Sequence, residues 1–315
     1  MDFLADPVWG GVSGLIALVG LIIVITQYRR SHHLKSGITS DTSPASEIHE
    51  LVERLMSLLK AHGVERTQIP KFLGAEAGIT FTDLSDDDRL ISKLDDELLD
   101  SICERLAVRR EWLDGESEQI YPQQDFYQHP EAFSQFLSDL KKCNPKGELR
   151  GLVVKPIPDH ADGNALLILQ ETIRYIGEKP IYRYHLSDGW LFSYWKVRGY
   201  LTACVSIGWK RKVYIHGVKQ PTSVIDQLAS GEVLLGWEGE GFWALGSTSW
   251  HPEDMASDPK AYLDGVDPEM DNFGIKAGLR LWLDLDEQGL MDCGFDGKHR
   301  QAFEEALERY EIEAA

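Results

Sequence analysis

The hydrophobic and polar positions divide the chain into three parts. Residues 8–25 carry no charged side chain, residues 31–46 are small and polar, and from Glu47 onward apolar positions recur with regular spacing. Eighteen residues rise about 27 Å as an α-helix, close to the ~30 Å hydrocarbon core of a bilayer. The first part therefore predicts a transmembrane helix within residues 1–30, and the second part predicts a flexible linker.

Basic residues follow the predicted span and acidic residues precede it. Arg29, Arg30 and Lys35 come after the apolar run, whereas Asp2 and Asp6 come before it. Lys and Arg accumulate on the cytoplasmic side of membrane helices. This pattern predicts a single-pass protein of the cell membrane with its N-terminus outside and residues 29–315 in the cytoplasm. A cleaved signal peptide is the alternative, but it needs a basic start and a small-residue cleavage site.

Small residues recur along one stripe of the predicted span. The stripe allows two helix backbones to approach closely, so it favours a homodimer through the membrane helix. The alternative is that glycine is simply common in membrane helices. The residues of this dimer face are Gly10, Ser13, Gly14, Ala17 and Gly20.

Helical periodicity dominates the next part of the chain, residues 47–145. Apolar residues recur at three- and four-residue spacing from Ile48 to Leu59, which is typical of an amphipathic helix. A second helix is predicted near Ile69, with Thr67 as its cap and Pro70 in its first turn. Further helices are predicted at about 86–107 and 130–142.

Two segments of this part resemble the phage-repressor type of helix-turn-helix domain. Residues 64–74 (VERTQIPKFLG) resemble the helix that precedes the turn, and residues 102–115 (ICERLAVRREWLDG) resemble the closing segment. The resemblance covers residues 47–118. It implies a small all-α fold, and in that family the helix after the turn, here Ile79 to Leu90, binds DNA.

The charge of that predicted DNA-reading helix departs from the family pattern. Residues 79–90 contain four Asp and one Arg, and residues 47–118 contain eighteen acidic and nine basic residues. Affinity for DNA comes mainly from Lys and Arg that neutralise phosphates. The net charge of the whole chain is −19. We therefore expect the helical part to bind a protein partner, and we do not expect nucleic acid as a partner.

The last part, residues 146–315, predicts an α+β domain. Strands are predicted at 149–157, 165–175, 181–185 and 212–219, a buried helix within 190–209, and helices at 222–229 and 298–312. The buried helix is preferred to a second membrane span because Lys196 and Arg198 lie within it. The complete prediction is a membrane-anchored α+β protein with one transmembrane helix, a helix-turn-helix-like domain and a C-terminal α+β domain.

Basic and aromatic residues alternate in residues 182–219, which hold seven Lys or Arg and one acid. Aromatic rings can stack bases, and basic groups can neutralise phosphate. Alternatively, these bases pair within the fold with the acids of residues 232–287. His251 lies beside Glu253 and Asp254 in a second candidate cluster. The residues predicted to bind a ligand are Arg183, Trp195, Lys196, Arg198 and His251.

No catalytic motif stands out in the sequence, and we expect no cofactor and no metal ion. Signatures of nucleophile elbows, phosphate-binding loops and dinucleotide-binding loops are missing. Four scattered cysteines fit core packing better than zinc or disulfides. A cation on Asp159 to Asp162 is a weaker alternative.

Three functions remain open on these grounds. The first is a membrane-tethered interaction or regulatory protein, whose helical module binds a protein and whose α+β domain binds a ligand. The second is a membrane-bound transcriptional regulator, for which the predicted DNA-reading region offers only Arg66, Lys71 and Arg89. The third is an enzyme or a nucleotide sensor in residues 148–315.

Overall fold

A computed structural model describes residues 44–157, 163–236, 248–268, 274–295, 297 and 299–313. Within these residues twelve α-helices and one mixed sheet of five strands form an α+β fold. The helices are α1 (Pro44–Ala61), α2 (Ile69–Leu73), α3 (Asp87–Ile91), α4 (Asp96–Leu106), α5 (Arg110–Leu113), α6 (Pro130–Cys143), α7 (Trp195–Lys210), α8 (Thr222–Ala229), α9 (Asp254–Ser257), α10 (Pro259–Leu263), α11 (Gly274–Glu287) and α12 (His299–Glu313). The strands are β1 (Leu149–Ile157), β2 (Asn164–Ile176), β3 (Lys179–Leu191), β4 (Ile215–Pro221) and β5 (Ser249–Trp250).

The chain folds into two compact units. The first unit contains the described residues as far as Pro122, the hairpin tip Glu171–Tyr184 and the described residues 230–236. The second unit contains 123–170, 185–229 and the described residues from Thr248 onward. The predicted domains at 47–145 and 146–315 stay a prediction.

Helix α1 contributes buried leucines to the core of the first unit. Its residues Leu55, Leu58 and Leu59 are buried, as are Phe72 and Leu106 on other helices. The helix ends before Gly63, whose φ of 87° lies in the left-handed region that an L side chain rarely adopts. The apolar spacing of the sequence therefore predicts this helix and its buried face correctly.

The predicted DNA-reading helix at Ile79 to Leu90 is wrong. The structure has a 3-10 turn at Asp83–Ser85 there, and α3 begins only at Asp87. Gly78 adopts a φ of 62°, which interrupts helical geometry before this stretch. Asp86 then begins a new helix, because its carboxylate accepts a hydrogen bond from Asp88 N at 3.0 Å. No continuous helix spans the described residues 79–90.

The second unit is built on strands β1 and β4, which pair in parallel. In register, Gly151 faces Ile215 and Lys155 faces Lys219. The strand order is β3-β2-β1-β4-β5, and β5 is antiparallel to β4. Because β1 and β4 run in the same direction, their carboxyl ends lie side by side.

Helix α7 is buried along most of its length in the core of the second unit. Its residues Leu201, Cys204 and Val205 pack in one cluster with Trp282 of α11 and Phe303 of α12. The rings of Trp282 and Phe303 are stacked, with centroids 3.6 Å apart. The prediction of a buried core helix between 190 and 209 is confirmed.

The predicted membrane-anchored fold class is corrected. None of the helices in the described residues is both long enough and apolar enough to cross a bilayer. For these residues the fold is α+β with a mixed sheet. The predicted span in residues 1–30, its proposed dimer face Gly10, Ser13, Gly14, Ala17 and Gly20, and residues 31–43 of the predicted linker lie outside the described residues.

Candidate functional site

The ring of Phe192 lies between strand β3 and helix α7 and contacts a buried arginine. The guanidinium carbon of Arg198 lies 3.6 Å from the centroid of this ring. Its Nη1 donates to Tyr262 O at 2.8 Å, and its Nη2 donates to Phe192 O at 2.7 Å and to Asp264 O at 2.9 Å. Arg198, predicted to bind a ligand, is fully buried and holds three backbone carbonyls of its own fold.

A buried lysine contacts the same aromatic ring. Lys155 Nζ lies 5.1 Å from the centroid of Phe192, 4.6 Å from the centroid of Trp250 and 3.5 Å from Asp264 Oδ2. The side chain of Lys155 is 4 % exposed, whereas that of Asp264 is 49 % exposed. Burying an ammonium group is costly unless charges and ring faces surround it. The cluster therefore combines a cation and aromatic faces, with a carboxylate that reaches solvent.

Lys155 is not among the residues predicted from the sequence to bind a ligand. The strand around it is mostly apolar, so one lysine in it resembles an ordinary exposed strand position. The sequence does show that Lys155 lies near the carboxyl end of a strand that is apolar on both faces, and this position could have identified it. Ligands of open α/β sheets bind beyond the carboxyl ends of parallel strands.

Gly217 makes room for the aromatic part of this cluster. A Cβ atom at this position would lie 2.5 Å from Trp250 Nε1. The indole instead lies over β4, and its Nε1 donates to Val218 O at 3.2 Å. Lys155 and Lys219 are register partners on the parallel strands, so their side chains leave the sheet on the same face. We call Lys155, Lys219, Phe192, Trp250 and Asp264 the strand-end cluster.

The remaining predicted ligand residues do not join this cluster. Arg183 belongs to the first unit, where its Nε and Nη2 bond to the two carboxylate oxygens of Glu171 at 2.7 and 3.2 Å. Lys196 Nζ lies 5.3 Å from the ring centroid of Trp195, at the start of α7. His251 is 72 % exposed, and its Nδ1 lies 3.3 Å from Glu253 Oε1.

A buried histidine in the first unit was also missed. His62 Nδ1 donates to Tyr182 O at 2.7 Å, since a carbonyl only accepts. Nε2 therefore accepts the hydroxyl proton of Tyr121 at 3.3 Å, and Tyr121 Oη accepts from Leu235 N at 3.0 Å. Burial lowers the pKa of His62 to about 4, against the raising effect of the Tyr182 hydrogen bond. The imidazole is thus a neutral connector of three chain segments.

An exposed phenylalanine marks the surface of the first unit. Phe81 is 69 % exposed and lies in the turn that replaces the predicted DNA-reading helix. Thr80 N and Thr80 Oγ1 both donate to Asp83 Oδ2, at 2.8 and 2.6 Å. These bonds hold the pKa of Asp83 below its usual value. The turn is therefore closed by local hydrogen bonds, with an aromatic ring at its tip.

Neither metal ligation nor thiol chemistry is favoured by the described side chains. Within the described residues no group of three or more His, Cys, Asp or Glu is placed to hold a metal ion. All four cysteines are free thiols. Burial raises the pKa of Cys103 and Cys293 to about 11 and raises that of Cys204 further. A thiol must lose its proton to act as a nucleophile, so these three are inert. The candidate cation site at Asp159 to Asp162 lies outside the described residues.

The chain matches no protein-family model, no curated protein and no solved structure. The resemblance to repressor-type domains therefore stays a prediction from residues 64–74 and 102–115.

Proposed function

We propose that this protein is an interaction protein whose first unit docks a basic partner through Phe81. The observation that carries the proposal is the 69 % exposure of this ring on a hydrogen-bonded turn. A large aromatic side chain on a rigid backbone gives contact area at a low entropic cost, which is typical of the energetic centre of an interface.

The turn that carries Phe81 is also stabilised by Arg66, which lies outside it. Arg66 Nε donates to Leu84 O at 2.8 Å, and its Nη2 pairs with Asp87 Oδ1 at 2.6 Å. Leu84 itself is buried in the first unit. The ring of Phe81 is thus presented by a backbone that is anchored three residues later.

The charge around Phe81 specifies the partner. Residues 75–88 contain five acids and no Lys or Arg. Of these acids, Glu76, Asp86 and Asp88 are exposed. Such a surface repels phosphate backbones and attracts Lys and Arg. We therefore propose a protein segment with basic residues around one apolar side chain, rather than duplex DNA.

Selection from a random peptide library tests this function. The full-length chain is expected to retain peptides with Lys or Arg on both sides of an apolar residue. Phe81→Ala is expected to weaken the best peptide by about 30-fold, the size of a central interface residue. Tyr175→Ala is the matched control, because Tyr175 is an aromatic residue of the first unit that is 50 % exposed. Peptides without basic character, or equal losses in both variants, would contradict the proposal.

A second function is favoured by the strand-end cluster. Two lysines leave the same face of parallel strands, at the edge where ligands of α/β sheets bind, and one of them, Lys155, lies over an indole ring. We propose that the second unit binds a small anion there, with Lys219 and Lys155 as its cationic contacts. The carboxylate of Asp264 pairs with the ammonium group of Lys155 on its solvent side, and the bound anion would displace this carboxylate.

Thermal unfolding with inorganic phosphate tests the anion site. A ligand that binds only the folded protein raises Tm with its concentration. We expect a rise for the unaltered chain that Lys219→Gln abolishes. Lys260→Gln is the matched control, since Lys260 is an exposed lysine of the same unit. The same rise in all three proteins would show a general salt effect and contradict the site.

A further inference from the structure

At the end of helix α7 the ring of Trp209 contacts two further aromatic rings. The centroid of Trp209 lies 5.0 Å from that of Tyr214 and 5.4 Å from that of Phe295. The planes are inclined by 71° and 63°, so the rings meet edge to face. Tyr214 is 47 % exposed and Phe295 is 42 % exposed. Two large aromatic rings of this trio are therefore open to solvent.

The turn between α7 and β4 fixes the indole of Trp209. Val213 N donates to Gly208 O at 2.8 Å, which closes the turn. Trp209 Nε1 donates to Ile215 O at 3.2 Å and so fastens the indole to the first residue of β4. Lys212 adopts a φ of 61°, a conformation that directs the chain sharply back into the strand. The indole at the centre of the trio is thus preorganised.

Basic side chains lie on the turn between Trp209 and Tyr214 and on the helix that contacts this turn. Lys141 of α6 donates through Nζ to Arg211 O at 2.5 Å. The guanidinium of Arg211 donates to Ser138 Oγ and Ser134 Oγ, both at 2.6 Å. Burial lowers the pKa of Lys141, and the charges of Arg211 and Lys212 lower it further. Like charges therefore crowd at this place, and an anion would relieve their repulsion.

One neighbouring base is already neutralised. Lys210 Nζ pairs with Asp292 Oδ2 at 2.9 Å, and this pair holds the pKa of Asp292 below its usual value. The positive charge of the surface therefore comes from Lys141, Arg211 and Lys212, all of which are exposed. We call Lys141, Trp209, Arg211, Lys212, Tyr214 and Phe295 the basic–aromatic surface.

We infer that the basic–aromatic surface binds single-stranded nucleic acid. Unpaired bases stack on the open rings of Tyr214 and Phe295, and phosphates lie against Arg211, Lys212 and Lys141. A duplex is not the ligand, because its bases are already stacked on one another. The net charge of −19 opposed a nucleic-acid partner for the whole chain, but this surface has the opposite sign. The inference is independent of the proposed docking by Phe81.

A binding titration tests the inference. A labelled 20-nucleotide deoxythymidine strand is titrated with the full-length chain, and its fluorescence anisotropy is measured. Tyr214→Ala and Phe295→Ala are each expected to weaken binding by about tenfold, the effect of losing one stacked base. Arg211→Gln with Lys212→Gln is expected to flatten the salt dependence. With about three phosphates neutralised, affinity should fall roughly 20-fold between about 50 mM and about 200 mM salt. A uridine strand of equal length shows whether RNA binds as well as DNA, and binding of either strand supports the inference.

Matched controls separate the surface from the rest of the second unit. Ile312→Ala removes another exposed apolar side chain, and Lys260→Gln removes another exposed charge, so neither should change binding. The inference is overturned if neither strand binds, if a duplex binds as tightly, or if the aromatic variants bind normally. It is also overturned if these variants change only the sedimentation of the protein or its binding to poly-glutamate, since the surface would then serve a protein contact.

Discussion

The ammonium group of Lys155 lies 4.6 Å from the centre of the Trp250 indole ring, inside the second unit. This contact depends on Gly217, because a side chain at that position would occupy the space of the indole. It also depends on the parallel register of β1 and β4, which brings Lys155 to the same edge as β5. A charge is thus buried where the sheet ends, and its contribution to stability can be separated from its contribution to binding.

Replacing Lys155 with methionine should change the free energy of unfolding by less than about 1 kcal/mol. Exchanging a buried charge for an apolar side chain of similar length removes its desolvation cost, and a thioether packs well against aromatic rings. Urea unfolding measures the change. Phosphate binding by the same variant should be lost if the strand-end cluster is an anion site. A loss of several kcal/mol would show instead that the ammonium group is a structural requirement.

Replacing Arg198 with methionine should destabilise the protein by about 3 kcal/mol or more. Three backbone carbonyls lose their donor, and unsatisfied buried polar groups cost about 1–3 kcal/mol each. Lys196→Met, two residues earlier at the half-buried start of α7, should cost less than about 0.5 kcal/mol, as surface substitutions usually do. Urea unfolding of both variants checks the difference. Equal stability of the two would contradict the structural role of Arg198.

Removing the charge of Glu171 while keeping Arg183 should lower the free energy of unfolding by about 3–5 kcal/mol. Glu171→Gln leaves a mostly buried guanidinium without its carboxylate. The double variant Glu171→Gln with Arg183→Met should recover part of this loss, because no unpaired charge remains. A double-mutant cycle on unfolding free energies measures the coupling. Additive losses would mean that the two side chains do not act as a pair.

Acid should destabilise the first unit through His62. Its pKa is lowered from 6.5 to about 4 in the folded protein, so the folded state holds the neutral ring. The contribution of His62 to the free energy of unfolding is therefore fully present above pH 6.5 and is lost as the pH falls from 6.5 towards 4. It amounts to about 3 kcal/mol in total.

Urea unfolding between about pH 7 and about pH 4.5 measures how the free energy of unfolding changes with pH. Each value is compared with that of the same protein at pH 7. His62→Gln should be less stable at pH 7 and should show a shallower decline than the unaltered protein. His49→Gln is the matched control, because the His49 side chain is 52 % exposed. Parallel declines in all three proteins would show that carboxylates alone cause the acid sensitivity.

Several elements could be predicted because their signals are local. The prediction of β1 at 149–157 agrees with the structure residue for residue, and the helix predicted from Pro221 and Thr222 to about Ala229 is α8. Helix α11 was missed although its signal was present, since Leu279, Trp282 and Leu285 are buried at three-residue spacing. The predicted start of β4 at Lys212 is three residues early, because the chain turns at Lys212 before the strand begins at Ile215.

The candidate sites were harder to predict than the elements. Five residues were selected for charge or aromatic character, and the structure distributes them over both units. Arg183 and Arg198 are used by the fold itself, one in an ion pair and one on backbone carbonyls. Phe81 was not selected because an exposed phenylalanine and a buried one look alike in a sequence.

The sequence by itself determined the periodic elements, the acidic surface of residues 75–88 and the basic–aromatic composition around α7, since these follow from neighbouring residues alone. Only the tertiary structure decided which charges are buried, as at Lys155, and which rings are exposed, as at Tyr214. Burial depends on the side chains that distant segments bring together. Lys155 and Trp250 are ninety-five positions apart, and only the pairing of β1, β4 and β5 places them in contact.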